Sequence, residues 1–220
     1  MSLLDFITSL FAPDDCLACG REGALLCSAC LTRLPPLVGR CLACNKPTTG
    51  AGCAACLQHM GLAQLHAVTR YEGVGGALVG QLKFSGNQSA ARLIARAMSA
   101  TQLPPDALIT HLPATTAHIR QRGYDQAQLI SQQLARQTGL PRAAVLRRTG
   151  QQHQLGSTRT ERLQQMSRSL SVIGAPRVVG HHIVIIDDVV TTGSSLAVAA
   201  GVLRAAGARS VTALVFAQAY

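Results

Sequence analysis

The stretch of this 220-residue chain that most limits its fold begins at His182 and reads HIVIIDDVVTTGSSL. Its apolar, β-branched run 183–186 is typical of a strand that is buried on both faces of a parallel sheet. Helical spacing begins at Ser195 and continues to about Gly207, and residues 210–217 read as the next strand. This strand–loop–helix–strand order predicts an α/β fold with a parallel sheet.

Two carboxylates and a glycine-containing hydroxyl loop stand at the carboxyl end of this strand. Ligands of open α/β sheets bind at that end. Asp187 and Asp188 can accept hydrogen bonds from vicinal ribose hydroxyls, while loop 191–195 offers hydroxyls and free N–H groups at a helix N-terminus, where anions bind. The combination predicts a pocket for a ribose 5-phosphate. The plainer interpretation is an ordinary strand–turn–helix in which Asp and Thr side chains only cap the turn.

All eight cysteines lie between residues 16 and 56, in four Cys-x2-Cys pairs. Two such pairs complete a tetrahedral site, so the spacing predicts two structural zinc ions. The N-terminus lacks the basic region of a secretory signal, which favours thiols in a reducing cytoplasm over a disulfide framework. The short spacers favour sequential pairing, but spacing alone leaves a cross-braced arrangement open. Sequential pairing assigns one ion to Cys16, Cys19, Cys27 and Cys30, and the other to Cys41, Cys44, Cys53 and Cys56.

Positive charge is concentrated after residue 60. The formal net charge is +10, and residues 1–60 contain equal numbers of basic and acidic side chains. Most of the basic residues are arginine, whose planar guanidinium binds phosphate through two hydrogen bonds. With no Trp, four Phe and three Tyr, the chain has few rings on which nucleic-acid bases could stack. No apolar run is long enough to span a membrane.

Two further segments bring basic residues to the predicted ligand end. Residues 107–112 read as a short strand closed by Pro113, and the following predicted loop carries Arg120 and Arg122 before a helical pattern over 124–137. A predicted helix over 74–84 places Lys83 near its end, where a solvated side chain is the plainer interpretation. The polar, Arg-rich segment 147–168 is typical of a mobile functional loop or of disorder.

The sequence Asp187-Asp188-Val-Val-Thr-Thr-Gly resembles the phosphoribosyl-diphosphate (PRPP) signature of type I phosphoribosyltransferases. Its combination with four N-terminal cysteine pairs is similar to the ComF family. Gln81-Leu-Lys-Phe resembles the Leu-Lys-aromatic element of that family. Arg120-x-Arg-Gly-Tyr-Asp-Gln-Ala resembles its Arg-Gly-aromatic-Asn-Gln stretch, with Asp125 where Asn is usual. The resemblance implies a type I phosphoribosyltransferase-like parallel sheet with a small N-terminal zinc-ribbon module.

The resemblance also implies an organisation and a set of functional residues. We expect an N-terminal helix over 1–11, a double zinc ribbon over 12–60 and a phosphoribosyltransferase-like domain over 61–220. The implied cofactor, beside zinc, is Mg²⁺ bound with PRPP. The residues implied to be catalytic are Asp187, Asp188, Arg120 and Arg122. Those implied to bind PRPP are Lys83, Pro113, Asp187, Asp188, Val189, Thr191, Thr192, Gly193, Ser194 and Ser195.

Two functions follow from these expectations. The first is a PRPP-binding phosphoribosyltransferase-like protein that is linked to DNA uptake or utilisation, or to nucleotide metabolism. Its acceptor is open, although Thr191 stands where, by resemblance, 6-oxopurine enzymes place an Asp, which disfavours hypoxanthine and guanine. The alternative is a competence protein that handles single-stranded DNA with the phosphate pocket, without catalysis, alongside other competence-machinery proteins. Salt-sensitive DNA binding would favour the alternative.

Overall fold

A computed structural model of the protein describes residues 14–37, 39–148 and 169–219. The predicted helix over 1–11 and most of the polar segment 147–168 lie outside these ranges. Four parallel strands form the central sheet in the order β1-β6-β5-β2, and β3 and β4 form a separate antiparallel pair. The strands are β1 (Gln64–Arg70), β2 (Ala107–His111), β3 (Leu146–Arg148), β4 (Leu170–Val172), β5 (His182–Val190) and β6 (Ser210–Gln218).

The central strands are apolar because both faces of the sheet are covered. All five residues of β2 are buried, and so are all residues of β6 except Ser210. The prediction of a parallel α/β fold is therefore confirmed. The strand predicted over 183–186 is longer than expected, because β5 stays paired with β6 as far as Val190 and Gln218. Asp187 and Asp188 consequently belong to the strand itself.

Helices cover the two faces unequally. The helices α3 (Gly73–Lys83), α4 (Ala90–Met98) and α6 (Gln126–Thr138) supply the core of one face, whereas α7 (Ser194–Ala205) packs on the other face beside β3 and β4. Within the described ranges, no helix is both long and apolar enough to cross a bilayer.

The segment after Pro113 differs from its prediction. A loop was expected to carry Arg120 and Arg122, but the structure has a short helix there, α5 (Thr116–Arg122). The Thr115 hydroxyl caps it by accepting a hydrogen bond from the His118 N–H at 3.3 Å. Gly123 ends the helix in the left-handed conformation, with φ of 81°, which glycine adopts without steric cost. The Thr115 cap and the Gly123 stop therefore define a helix in a segment that has no apolar periodicity.

The cysteines form two units, each of which ends in a short helix. The first cysteine unit (residues 14–34) contains α1 (Ser28–Leu31), and the second cysteine unit (residues 39–62) contains α2 (Ala54–His59). Side chains of the first unit join the core under α3, α4 and α6, while those of the second join the core beside α7. The chain between them is tied to edge strand β1 by a 2.7 Å hydrogen bond from the Thr69 hydroxyl to the Pro35 carbonyl. The two units therefore contact opposite faces of the same sheet.

Candidate functional site

Two adjacent carboxylates of β5 have different partners. The Asp188 carboxylate lies 2.7 Å from the Lys83 ammonium group, at the last position of α3. Its second oxygen accepts a hydrogen bond from the N–H of Val189 at 2.8 Å. Within the described ranges, the hydrogen bond that the Asp187 carboxyl accepts is a local one, from the N–H of Asp188 at 2.9 Å. The charge of Asp188 is thus balanced by the Lys83 ammonium group. Asp187 has no cation of its own at this distance among the described residues and is exposed to the negative charge of Asp188.

This arrangement changes the charge of Asp187. Burial raises the pKa of its carboxyl well above the usual range, and the negative charge of Asp188 raises it further. Lys83 offsets only part of this effect, because it lies against the other acid. Asp187 therefore holds its proton to higher pH than an ordinary Asp, and a cationic group arriving beside it would favour its ionised form.

A cleft with a cavity volume of about 220 Å³ opens beside these acids, between the carboxyl ends of β5 and β2. Six of the residues predicted from the sequence line it: Lys83, Pro113, Arg122, Asp187, Asp188 and Ser195. The remaining predicted residues do not line it. Arg120, Thr191 and Thr192 are exposed, Val189 and Ser194 are half-buried, and Gly193 is the buried residue of the loop. The cleft thus joins the acid pair to two cations and to the first turn of α7.

Among the lining residues that the sequence did not predict are an arginine and an aspartate. Arg148 ends β3 and is half-buried in the cleft. Burial lowers the pKa of its guanidinium, while the charges of Asp187 and Asp125 raise it. In the described part of the chain, its Nε atom is buried without a hydrogen-bond partner. A half-buried guanidinium whose Nε donor is unpaired can bind an anionic ligand group. The only sequence signal for it is that it is the second of two arginines after an apolar run.

The second of them is Asp125, which organises the opposite wall of the cleft. One carboxylate oxygen accepts a hydrogen bond from the N–H of Ala114 at 2.8 Å, and the other accepts from the N–H of Gln128 at 3.1 Å. The same side chain therefore caps α6 and fixes the turn that follows Pro113. Arg122 donates to the side-chain oxygen of Gln126 at 3.0 Å, which orients its guanidinium beside the cleft.

The turn between β5 and α7 has the local form of an anion-binding loop. The hydroxyls of Thr192 and Ser194 lie 2.9 Å apart, and the Ser194 N–H points to the Thr192 hydroxyl at 3.4 Å. Gly193 has φ of 71° and precedes a twelve-residue helix. The free N–H groups of this helix start and the positive end of its dipole favour negative charge at the loop.

The cysteines group as the sequential pairing predicts. One cluster contains Cys16, Cys19, Cys27 and Cys30, and the other contains Cys41, Cys44, Cys53 and Cys56. The sulfur atoms of Cys19 and Cys27 lie 3.9 Å apart, and those of Cys44 and Cys53 lie 3.7 Å apart. A tetrahedral ion with metal–sulfur bonds of about 2.3 Å requires sulfur–sulfur separations of about 3.8 Å. The donor set and its spacing therefore fit one metal ion in each cluster.

The pKa values of the clustered thiols also favour a bound metal ion. Hydrogen bonds from the backbone of Cys27 and Ala18 lower the pKa of Cys16 to about 6. The surrounding thiols, Cys27 foremost, raise the pKa of Cys30 to about 12. The second cluster repeats this contrast between its first cysteine and its last. Four thiols in such proximity cannot all ionise without a cation, because each thiolate disfavours the next.

Comparison with known proteins gives the chain a family. The phosphoribosyl transferase domain matches residues 107–219. The DNA utilization protein YhgH of Salmonella typhi is 32% identical over 221 residues, which cover 92% of this chain and 96% of that protein. YhgH of Escherichia coli strain K12 is 31% identical over the same shares of both chains. Competence protein F of Haemophilus influenzae is 32% identical over 112 residues, or 49% of this chain and 48% of that protein. The chain therefore belongs to the phosphoribosyl transferase domain family and, within it, to the ComF-type proteins that YhgH and competence protein F represent.

Proposed function

We propose that the cleft binds PRPP with Mg²⁺ and that the protein is a phosphoribosyltransferase-like member of a DNA-utilisation or nucleotide-salvage process. The observation that carries this proposal is the convergence, at one sheet edge, of an acid pair with three cationic side chains. Asp187 and Asp188 stand beside Lys83, Arg122 and Arg148, and Ser195 connects the cleft to the loop that precedes α7. PRPP has groups that complement them: ribose hydroxyls for the acid pair, a diphosphate for the cations, and a 5-phosphate for the loop.

In this proposal each group has a distinct task. The acid pair accepts hydrogen bonds from the ribose hydroxyls, and loop 191–195 binds the 5-phosphate. Lys83, Arg122 and Arg148 hold the diphosphate, and Arg120 stays a proposed catalytic contact from the exposed side of α5. Bound Mg²⁺ would add positive charge at the diphosphate, and carboxylate and phosphate oxygens are the ligands it prefers. When pyrophosphate leaves the anomeric carbon, the ribose gains oxocarbenium-like charge, which an ionised acid pair stabilises electrostatically.

Calorimetric titration with PRPP and Mg²⁺ tests this proposal. We expect the wild type to bind one PRPP per chain, and the double variant Asp187→Asn/Asp188→Asn to lose at least about tenfold in affinity, or about 1.4 kcal/mol. The matched control is Asp106→Asn, because Asp106 directly precedes β2 and so lies at the amino-terminal end of the strands, away from the cleft at their carboxyl ends. Absence of binding by the wild type would overturn the assignment of the ligand.

A second function is favoured by one exposed ring. The Phe84 side chain is 74% exposed at the end of α3, and the Arg122 guanidinium lies 5.8 Å from its centroid. An aromatic face beside an arginine is a platform on which an unstacked base can lie while the cation binds a phosphate. Two relatives carry names that refer to DNA utilization and competence. Handling of single-stranded DNA, with competence-machinery proteins as partners, is therefore the second candidate.

Binding of a fluorescent single-stranded oligonucleotide separates the two candidates. If DNA binds at Phe84 and runs into the adjoining cleft, Phe84→Ala should weaken binding about fivefold or more, in line with the loss of one stacked base, and affinity should fall steeply with salt. The control is Phe216→Leu, which changes a ring that is fully buried in the sheet. PRPP binding without any oligonucleotide binding would leave only the small-molecule function.

For the two cysteine clusters we propose zinc, since four thiolates in a tetrahedron are a typical structural zinc site. Cysteine pairs spaced for metal binding are typical of reducing compartments, so we also propose a location in the cytoplasm.

A further inference from the structure

The loop proposed to bind the 5-phosphate is packed against the second cysteine unit. A Cβ atom added at Gly193 would lie 2.6 Å from Cε of Met60 and 3.1 Å from Cδ2 of Leu42. Neither distance leaves room for a side chain, so these two residues fill the space directly behind the glycine. Gly193 is buried although the threonines before it are exposed. The inner side of the loop therefore rests on the cysteine unit, while its hydroxyls face outward.

The two supporting side chains are held by the metal-binding turns. Leu42 stands between Cys41 and Cys44, and its N–H donates to the Ala51 carbonyl at 2.8 Å. Met60 follows α2, and its N–H donates to the Cys56 carbonyl at 2.9 Å. Met60 is 8% exposed and belongs to the core cluster that also contains the first turn of α7, through Leu196. Closure of the second cluster thus sets where both side chains stand.

Among the described residues, the side chains nearest to Gly193 do not come from the first cysteine unit. Leu31 ends the short helix of this unit and has the same 8% exposure as Met60, although by cysteine spacing its counterpart in the second unit is Leu57. It packs in the other core cluster, on the face covered by α3, α4 and α6. The two units are alike in cysteine spacing, but the three atoms that would lie nearest to a Cβ at Gly193 all belong to the second unit.

We propose that Met60 and Leu42 are positioning residues for the 5-phosphate: they hold Gly193 so that loop 191–195 presents its N–H and hydroxyl groups in a fixed arrangement. This inference rests on the proposed PRPP function. It assigns the second cysteine unit a role in ligand affinity that the first unit lacks. Because the support is behind the phosphate loop, it acts on one end of the ligand and not on the diphosphate end near Lys83 and Arg122.

Two partial ligands separate this role from general stability. Ribose 5-phosphate carries the phosphate but no diphosphate, and inorganic pyrophosphate carries only the latter. In Met60→Ala we expect the affinity for ribose 5-phosphate to fall about tenfold, because the loop that binds the phosphate is no longer held in its bound arrangement. Pyrophosphate affinity should change less than twofold. Met60→Leu should restore most of the loss, since it refills the same volume.

Leu31→Ala is the matched control, because it removes an equally buried side chain from the first unit. It should leave both affinities unchanged, and both variants should retain wild-type zinc content. Leu42→Val gives a milder test should Met60→Ala fail to fold, with an expected loss of about threefold for ribose 5-phosphate alone.

The other outcomes distinguish failure of the positioning role from failure of the proposed function. Wild-type affinity for ribose 5-phosphate in Met60→Ala, an equal loss for pyrophosphate, or an equal loss in Leu31→Ala would overturn the positioning role while leaving the proposed function standing. Wild-type protein that binds neither ribose 5-phosphate nor PRPP would overturn the proposed function, and the positioning role with it.

Discussion

At the scale of single residues, adjacent side chains of one type have different chemistry. Asp188 has an ammonium group 2.7 Å away, whereas the half-buried Asp187 stands beside another carboxylate. The sequence predicted that both acids stand at the carboxyl end of a strand, because β-branched runs and their endings are local signals. It could not predict which acid Lys83 would neutralise, because that contact joins positions far apart in the chain.

The raised pKa of Asp187 has a consequence for stability. The unfolded chain ionises this residue near the ordinary Asp pKa of about 3.9, and the folded chain does so at higher pH. The folded state therefore loses stability as pH rises between these two values. We expect Asp187→Asn, which keeps the oxygen that accepts from Asp188, to raise Tm at pH 7 by roughly 2–4 °C, with no gain at pH 3.5. Calorimetric melting curves at both pH values measure this, and an equal gain at both would contradict it.

Removal of Lys83 should have the opposite effect. The variant Lys83→Met leaves the largely buried Asp188 carboxylate without its cation, and we expect a loss of about 1–3 kcal/mol in the free energy of unfolding. Urea denaturation measures the loss. Lys46→Met is the control, since Lys46 is the other lysine of the chain and is exposed. A Lys83 variant as stable as this control would show that the ion pair contributes nothing.

At the scale of elements, strands were predicted better than the segments between them. The parallel strands β2, β5 and β6 and helix α7 follow from apolar runs and turn residues. Helix α5 did not, because it is polar and depends on the Thr115 cap and on Gly123. Arg148 was missed for a similar reason: its burial comes from packing between distant elements, which no local pattern records.

Asp125 gives an element-scale prediction. Asp125→Ala removes the cap of α6 and the acceptor of the Ala114 N–H together, so we expect a loss of about 2–3 kcal/mol, more than a helix cap alone contributes. Asp125→Asn keeps one good acceptor and should lose less than half as much. Urea denaturation of both variants checks the order. Equal losses would contradict the double role.

At the scale of the whole molecule, the two cysteine units pack on opposite faces of the central sheet. Sequence spacing favoured sequential pairing, which is a local property, and the structure confirms that grouping. The cysteine spacing does not indicate that the two units lie on opposite faces of the sheet. Their placement depends on how the linker that contains Pro35 passes edge strand β1. Both core clusters contain side chains of a cysteine unit, so neither face is independent of the metal sites.

Metal removal should therefore destabilise the whole chain. We expect two zinc ions per chain and a fall in Tm of at least about 10 °C on exhaustive chelation, because metal binding energy is folding energy in such sites. Re-addition of zinc to protein kept reduced should restore the transition. Atomic absorption and scanning calorimetry provide the measurements. Fewer than one zinc per chain, or an unchanged Tm after chelation, would contradict the assignment.

Amide hydrogen exchange of the wild type with and without PRPP and Mg²⁺ tests the central claim most directly, because it locates the ligand. If one PRPP spans the carboxyl edge of the sheet, protection should rise in residues 187–197 and in the segment around Ala114 together. The amino-terminal edge near Asp106 should not change. Protection confined to other segments, or no protection at saturating PRPP, would contradict the account.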